Sequence, residues 1–225
     1  YEILPSDWSS DVCSSDLLYF KDELFYPFAD DWLRFANGRP VVPGLGVYQM
    51  VELKWSLVDV TRQMEYVRRK GFPGVAYFRV EHLWNNTKGI GDVLDVYYPY
   101  PAKLPPMTWL SDTIPLAPSD LRAERLPDGK LELQWSLPSP MKRVTYNLYR
   151  SETEELSCDR AENILATGLR EPSFLYPAVN DEKAYYYYVT VSDAYHNESA
   201  PCVPAFFYHR SEEHTSELQS LGRIS

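Results

Sequence analysis

Two short stretches hold the side chains best suited to chemistry: Tyr48, Gln49, Glu52 and Trp55 follow one apolar run, and Arg79, Glu81, His82 and Trp84 follow another. Glu52 and Glu81 are carboxylates of the kind that act as a general acid and as a nucleophile or base when they flank a scissile bond. Left to themselves they are solvated loop charges. Arg79 ends an apolar run, so its guanidinium needs a carboxylate, a carbonyl or a ligand oxygen, and its planar fork suits a bidentate contact. A structural ion pair is the alternative there. The indoles of Trp55 and Trp84 offer flat faces to a ring-shaped ligand, or else pack beneath loops. His82 lacks the Cys, His and Asp neighbours of a zinc site, so neither metal nor cofactor is expected.

The elements that would position these groups are legible around them. The run VVPGLGVYQM (Val41 to Met50) precedes a helical pattern from Leu57 to Lys70, and a second run, Gly74 to Phe78, follows. A strand, a helix and a strand in that order imply two parallel strands joined by a right-handed crossover. Neither run alternates with polar residues, which predicts strands buried on both faces. The helix has its own punctuation: Ser56 as N-cap with Asp59 behind it, an apolar stripe of Leu57, Val60, Met64 and Val67, and Gly71 to end it in the left-handed conformation. Glu65 and Arg69 pair along its exposed face, worth about 0.3 kcal/mol. Upstream, Phe28, Trp32 and Phe35 share helical spacing before Gly38 and Pro40, predicting a short covering helix.

The ends of the chain do not read as protein. DWSSDVCSSDL (Asp7 to Leu17) and RSEEHTSELQS (Arg210 to Ser220) translate the same DNA on opposite strands, and that DNA resembles a short-read sequencing adapter. Residues 1–17 and 210–225 are therefore excluded from fold reasoning. They carry half of the formal charge of −10. The remainder is mildly acidic without a Lys/Arg cluster, so nucleic acid is not an expected partner. It holds no apolar run long enough to span a membrane. With Cys13 set aside, Cys158 and Cys202 are too few for a disulfide framework.

PGLGVYQM, GFPGVAYFR, NNTKGIGD and YPYPAKLPPMTWL together resemble the C-terminal part of the glycosyl hydrolase-like 10 family, bacterial glycoside hydrolases built on a (β/α)8 barrel. The resemblance implies that residues 18–112 are the C-terminal part of such a barrel, with Val41 to Met50 as strand seven and Gly74 to Arg79 as strand eight. Barrel chemistry collects at the C-terminal ends of strands, which selects the two stretches named above. Glycoside hydrolysis needs two carboxyl groups. Many barrel glycosidases end strand seven in a nucleophilic Glu, whereas this chain has Gln49 and Met50 there. Glu52 is then the candidate catalytic carboxylate, Tyr48, Gln49, Arg79 and Trp84 are candidate substrate-binding residues, and at least one further acid is expected on a strand outside this chain. Asn85-Asn86-Thr87 and Asn197-Glu198-Ser199 match the glycosylation pattern but are read as turn caps, and Gly89 and Gly91 do not form a phosphate loop.

From YPYPAKLPPMTWLSD onward Pro ends the α/β pattern, placing a boundary near Asp112. Beyond it short alternating runs recur. Leu131, Leu133 and Trp135 form one inward set, Tyr146 and Leu148 another, and Tyr185, Tyr187, Val189 and Val191 a third, with Tyr186, Tyr188 and Thr190 facing out. Asp128-Gly129 makes a tight turn. PSDLRAE, LELQWSLP, YNLYRSE and YYYYVTVSDAYHNESAP resemble a fibronectin type III β-sandwich over 113–209, which implies Trp135 as the core tryptophan and Tyr185 as a tyrosine corner. The expected fold class is thus α/β plus all-β. Resemblance implies a parent acting on O-glycosidic bonds of a polysaccharide, oligosaccharide or cell-wall glycan in an extracellular, periplasmic or envelope-anchored setting. This chain alone, lacking most of a barrel, is expected to be inactive. The alternative is a non-catalytic carbohydrate-binding or scaffolding protein, which Gln49 in place of a nucleophile would suit.

Overall fold

The computed structural model describes residues 21–138, 143–177 and 182–209, and the adapter-like ends lie outside the described residues. By its internal contacts the chain divides between Pro99 and Tyr100 into two units. The Pro-rich segment up to Asp112 therefore belongs to the second unit, ahead of the boundary expected from its composition.

The first unit runs α1 (Asp22–Phe35), β1 (Gly44–Gly46), α2 (Gln49–Glu52), α3 (Leu57–Arg69), β2 (Ala76–Phe78), α4 (Val80–Trp84), a 3-10 turn (Thr87–Gly89) and α5 (Ile90–Tyr97). β1 and β2 pair in parallel with Gly44 opposite Ala76, Leu45 opposite Tyr77 and Gly46 opposite Phe78, which is the expected strand, helix, strand unit. Among the described residues these are the strands of this unit, so the structure shows one such unit and not a closed barrel. The first strand is also much shorter than the run that announced it. Gln49 and Met50, read as the end of a strand, instead start α2. Burial on both faces holds for β1 but not for β2, whose Phe78 is 47% exposed.

α3 forms as its punctuation dictates. Ser56 Oγ accepts from the Asp59 amide at 3.3 Å while Asp59 Oδ2 accepts from the Ser56 amide at 2.8 Å, a complete capping box. Val60, Met64 and Val67 are buried, Gly71 takes φ +79° after the last turn, and Glu65 lies 3.9 Å from Arg69. α1 forms too, but on a different stripe. Phe25 and Ala29 are fully buried, whereas Phe28 and Phe35 are 44% and 68% exposed. Both stripes have helical spacing and share Trp32. Contact with α3 decides between them: Tyr26 stacks on Tyr66 at 3.9 Å, and the Tyr66 hydroxyl donates to Asp30 Oδ1 at 2.7 Å.

The second unit is a sandwich of a three-stranded sheet, β3 (Ser119–Arg125), β4 (Leu131–Ser136) and β7 (Ser173–Tyr176), and a four-stranded sheet in the order β6 (Ile164–Leu169), β5 (Thr145–Ser151), β8 (Ala184–Ser192), β9 (Ala205–Tyr208). Among the described residues of this unit every strand-to-strand pairing is antiparallel. This three-on-four arrangement is that of a fibronectin type III-like β-sandwich. Leu131, Leu133 and Trp135 of β4 meet Tyr146, Leu148, Tyr185, Tyr187, Val189 and Val191 in a common core, with Trp135 edge-on to Tyr146 at 5.3 Å. Gly129 closes the Asp128-Gly129 turn at φ +83°. Tyr185 is buried with the Arg150 guanidinium 4.2 Å over its ring.

The outward sets of β5 and β8 depart from expectation. Asn147, Tyr149, Tyr188 and Thr190 are all buried, and only Tyr186 of the outer set keeps partial exposure. Tyr149 and Tyr188 join Ile164, Leu156 and Cys158 in a second small core outside the four-stranded sheet. Cys158 and Cys202 are free thiols.

Candidate functional site

The parallel pairing of β1 with β2 brings the residues just past their C-terminal ends together, and this places Tyr48 next to Arg79. The Tyr48 amide donates to the Phe78 carbonyl at 3.2 Å, fastening the start of α2 to the end of β2. The Tyr48 ring, 2% exposed, meets Phe78 edge-on at 5.6 Å. The Arg79 guanidinium then lies 5.6 Å from the Tyr48 ring and 5.5 Å from the Phe78 ring. Its side chain is 52% exposed, and the nearest carboxylate oxygen, Glu81 Oε1, is 4.0 Å away. The guanidinium thus lies beside two aromatic rings with about half of its side chain in solvent, a setting able to take a carboxylate or vicinal hydroxyls.

Gln49 is buried beside Tyr48, at 1% exposure, and its main-chain carbonyl accepts from the amides of Leu53 at 3.0 Å and Trp55 at 3.1 Å. It supports the turn between α2 and α3. Glu52 lies at the exposed end of α2. Glu81 is exposed as well, with His82 Nε2 3.4 Å from its Oε1. The second ring nitrogen of His82 sits 3.4 Å from the Thr87 hydroxyl, so this histidine serves the local loop. Among the described residues no cluster of three or more His, Cys, Asp or Glu could hold a metal ion.

The two tryptophans separate. Trp55 is 3% exposed and belongs to the core of the first unit, as the packing alternative required. Trp84, 88% exposed at the end of α4, presents its indole to solvent. An indole so exposed lacks the burial that normally rewards this residue.

NNTKGIGD, following α4, is a framework element. Asn86 Oδ1 accepts from the Gly91 amide at 2.8 Å and the Asp92 amide at 3.4 Å, capping α5, while its Nδ2 donates to Asp92 Oδ2 at 3.0 Å. A Cβ at Gly91 would come 3.0 Å from that Oδ1, so the cap itself explains the glycine. Lys88 Nζ donates to the Trp55 carbonyl at 2.9 Å, tying the loop after β2 to the turn after β1. That contact was not legible in the sequence, because nothing in a polar turn reveals which distant carbonyl its lysine will reach. Asn197, of the second triplet, is buried, with Nδ2 bonded to the Ser111 carbonyl at 3.0 Å and Asp193 Oδ2 at 3.1 Å, so it too caps a turn.

Burial and the Glu65 hydrogen bond push the Tyr97 phenol up to about 12, with the Arg68 guanidinium 3.7 Å over its ring opposing the rise. In α1 the Asp30 carboxyl is held below its ordinary value by hydrogen bonds from Lys70 and Tyr66. Both are structural ties.

No family model matches the chain. It is 27% identical over 228 residues to glycosyl hydrolase YngK of Bacillus subtilis (strain 168), an alignment covering 88% of this chain and 43% of that protein. The chain thus spans less than half the length of this relative. Among solved structures, a Fn3-like protein from Clostridium thermocellum is 21% identical with a TM-score of 0.34, covering 42% of this chain and 92% of its own. The fibronectin type-III domain of human fibronectin type III domain containing protein 3 is 17% identical with a TM-score of 0.36, covering 47% of this chain and 95% of its own. At the family level the chain is distantly similar to a glycosyl hydrolase.

Proposed function

We propose that the chain is the C-terminal part of a bacterial glycoside hydrolase that cleaves O-glycosidic bonds of a polysaccharide, oligosaccharide or cell-wall glycan outside the cytoplasm. In this reading the first unit completes a (β/α)8 barrel whose earlier strands carry the missing acid, and the second unit is an appended sandwich entered by the Pro-rich segment. The observation that carries it is the Arg79 guanidinium seated over Tyr48 just past the C-terminal ends of two parallel strands, the position where barrel enzymes gather their chemistry. The distant similarity to a glycosyl hydrolase supports the same class.

Arg79 orients a substrate hydroxyl or a catalytic carboxylate, Tyr48 and Gln49 hold the rim that seats it, and Trp84 stacks on a sugar ring. Glu52, at the exposed end of α2 just past Gln49, is the candidate catalytic carboxylate, and its exposure leaves it room to meet a substrate. The chain taken alone, with one strand, helix, strand unit of such a barrel among its described residues, is expected to be inactive.

The test begins with the coding DNA upstream of the Leu18 codon. If further strand and helix units with Asp or Glu at strand ends precede it, the encoded protein should release reducing ends from a panel of glycans. A start codon near Leu18, or glycan binding without turnover, would overturn hydrolysis in favour of a carbohydrate-binding protein.

A further inference from the structure

The sandwich sinks a carboxylate that the candidate site does not use. Glu198 Oε1 accepts hydrogen bonds from Asn147 Nδ2 at 2.9 Å, Thr190 Oγ1 at 2.5 Å and the Tyr149 hydroxyl, donors from β5 and β8. Its Oε2 faces Lys103 Nζ at 2.8 Å, and the ammonium is also 5.8 Å over the Tyr149 ring. The two charged side chains are only 27% and 19% exposed. Lys103 does not belong to a strand of the sandwich. It stands in the Pro-rich segment that enters it.

That segment is held at further points. The Met107 amide donates to the Tyr195 carbonyl at 2.8 Å, His196 Nδ1 lies 3.3 Å from the Pro105 carbonyl, and Asn197 Nδ2 reaches the Ser111 carbonyl. Met107 itself is 9% exposed. Pro-rich extended chain makes no internal hydrogen bonds and is ordinarily solvated throughout. Here its polar groups find partners on the connection between β8 and β9.

We propose that Lys103 and Glu198 form a latch fastening the segment 100–112 across the β8–β9 connection, so that the chain enters the sandwich as a fixed strap instead of a free linker. A carboxylate held by three neutral donors is a prepared socket, and the strap supplies the cation that completes it. Removing either partner leaves a partly buried charge uncompensated or a socket without its charge, and the strap then keeps only its backbone contacts. The titratable groups facing the pair are Tyr149 from β5 and Cys158 from the loop that follows it.

Hydrogen exchange on the full chain tests the latch. In Glu198→Gln and, separately, in Lys103→Met, the Met107 amide should exchange at least about tenfold faster, a loss of about 1.4 kcal/mol of local protection. The Val191 amide, which donates to Ser199 Oγ at 3.0 Å inside the sandwich, should keep its protection. Trypsin should cut after Lys103 faster in Glu198→Gln. Lys103→Met keeps the sandwich's own hydrogen bonds to Glu198, so it still reports if Glu198→Gln weakens the whole sandwich. Unchanged Met107 exchange in Lys103→Met, or equal acceleration at Met107 and Val191 in both variants, would show that the pair does not fasten the strap.

Discussion

Replacing Arg79 separates a functional cation from a structural one, because the structure bounds what the side chain contributes to stability. Its guanidinium lies 5.6 Å from the Tyr48 ring and 5.5 Å from the Phe78 ring, with half the side chain in solvent, a cation–π contact worth about 0.5–1 kcal/mol at such a site. The Glu81 oxygen at 4.0 Å adds an exposed ion pair worth about 0–1 kcal/mol. Arg79→Ala should therefore destabilise the protein by about 1 kcal/mol, shifting the melting temperature by about 2–4 °C in a chain of this size. Its loss as a ligand to substrate or catalytic carboxylate is larger. A hydrogen bond to a charged group is worth about 1.5–3 kcal/mol, or roughly ten- to a hundredfold. The assay is kcat/KM of the complete hydrolase on its best glycan, beside a thermal melt of the same preparation. Arg79→Lys keeps the charge without the fork and should recover only part of the loss. Activity of Arg79→Ala within a few-fold of the parent, with the small melting shift observed, would refute the positioning role.

Trp84→Ala should leave the melting temperature unchanged, since the indole is 88% exposed, while weakening glycan binding by about tenfold or more in calorimetry. Met64→Ala empties a fully buried position in the core of the first unit and should cost about 2–5 kcal/mol, read as earlier unfolding of that unit. Ser56→Ala breaks half of the capping box and should cost about 1 kcal/mol, measured by exchange of the Asp59 amide. The sandwich should lose stability in acid. Burial acts to raise the Glu198 carboxyl, but the hydrogen bonds from Lys103, Thr190, Tyr149 and Asn147 outweigh it and hold it below the ordinary 4.5. Its contribution is therefore complete above that value and disappears as pH falls through the lower folded value. Melting followed from neutral pH downward should show this decline in the parent and a flatter profile in Glu198→Gln.

α3, expected to Lys70 and observed to Arg69, is legible in the sequence because its signals are local. Ser56, Asp59 and Gly71 act within one turn of the helix, and an amphipathic stripe needs only periodicity. The inward sets of β4, β5 and β8 followed for the same reason, from alternation alone. α1 buries a different face from its Phe28, Trp32 and Phe35 stripe, since two stripes share Trp32 and only contact with Tyr66 chooses between them. The first strand ends before its apolar run does because Val47 to Met50 suits a strand or a helical turn equally, and the amides of Val51 and Glu52 donating back to the Tyr48 carbonyl settle it for the turn.

The sequence by itself determined the parallel pair around a capped helix, the sandwich, and the identity of Arg79 and Trp84 as candidate binding groups. Neighbouring residues carry all of these. Tertiary structure alone decided that Trp55 is core while Trp84 is exposed, that Arg79 rests on Tyr48, and that Lys103 reaches Glu198 across 95 positions of chain. Such contacts depend on how distant segments pack, and residue spacing holds no record of that distance.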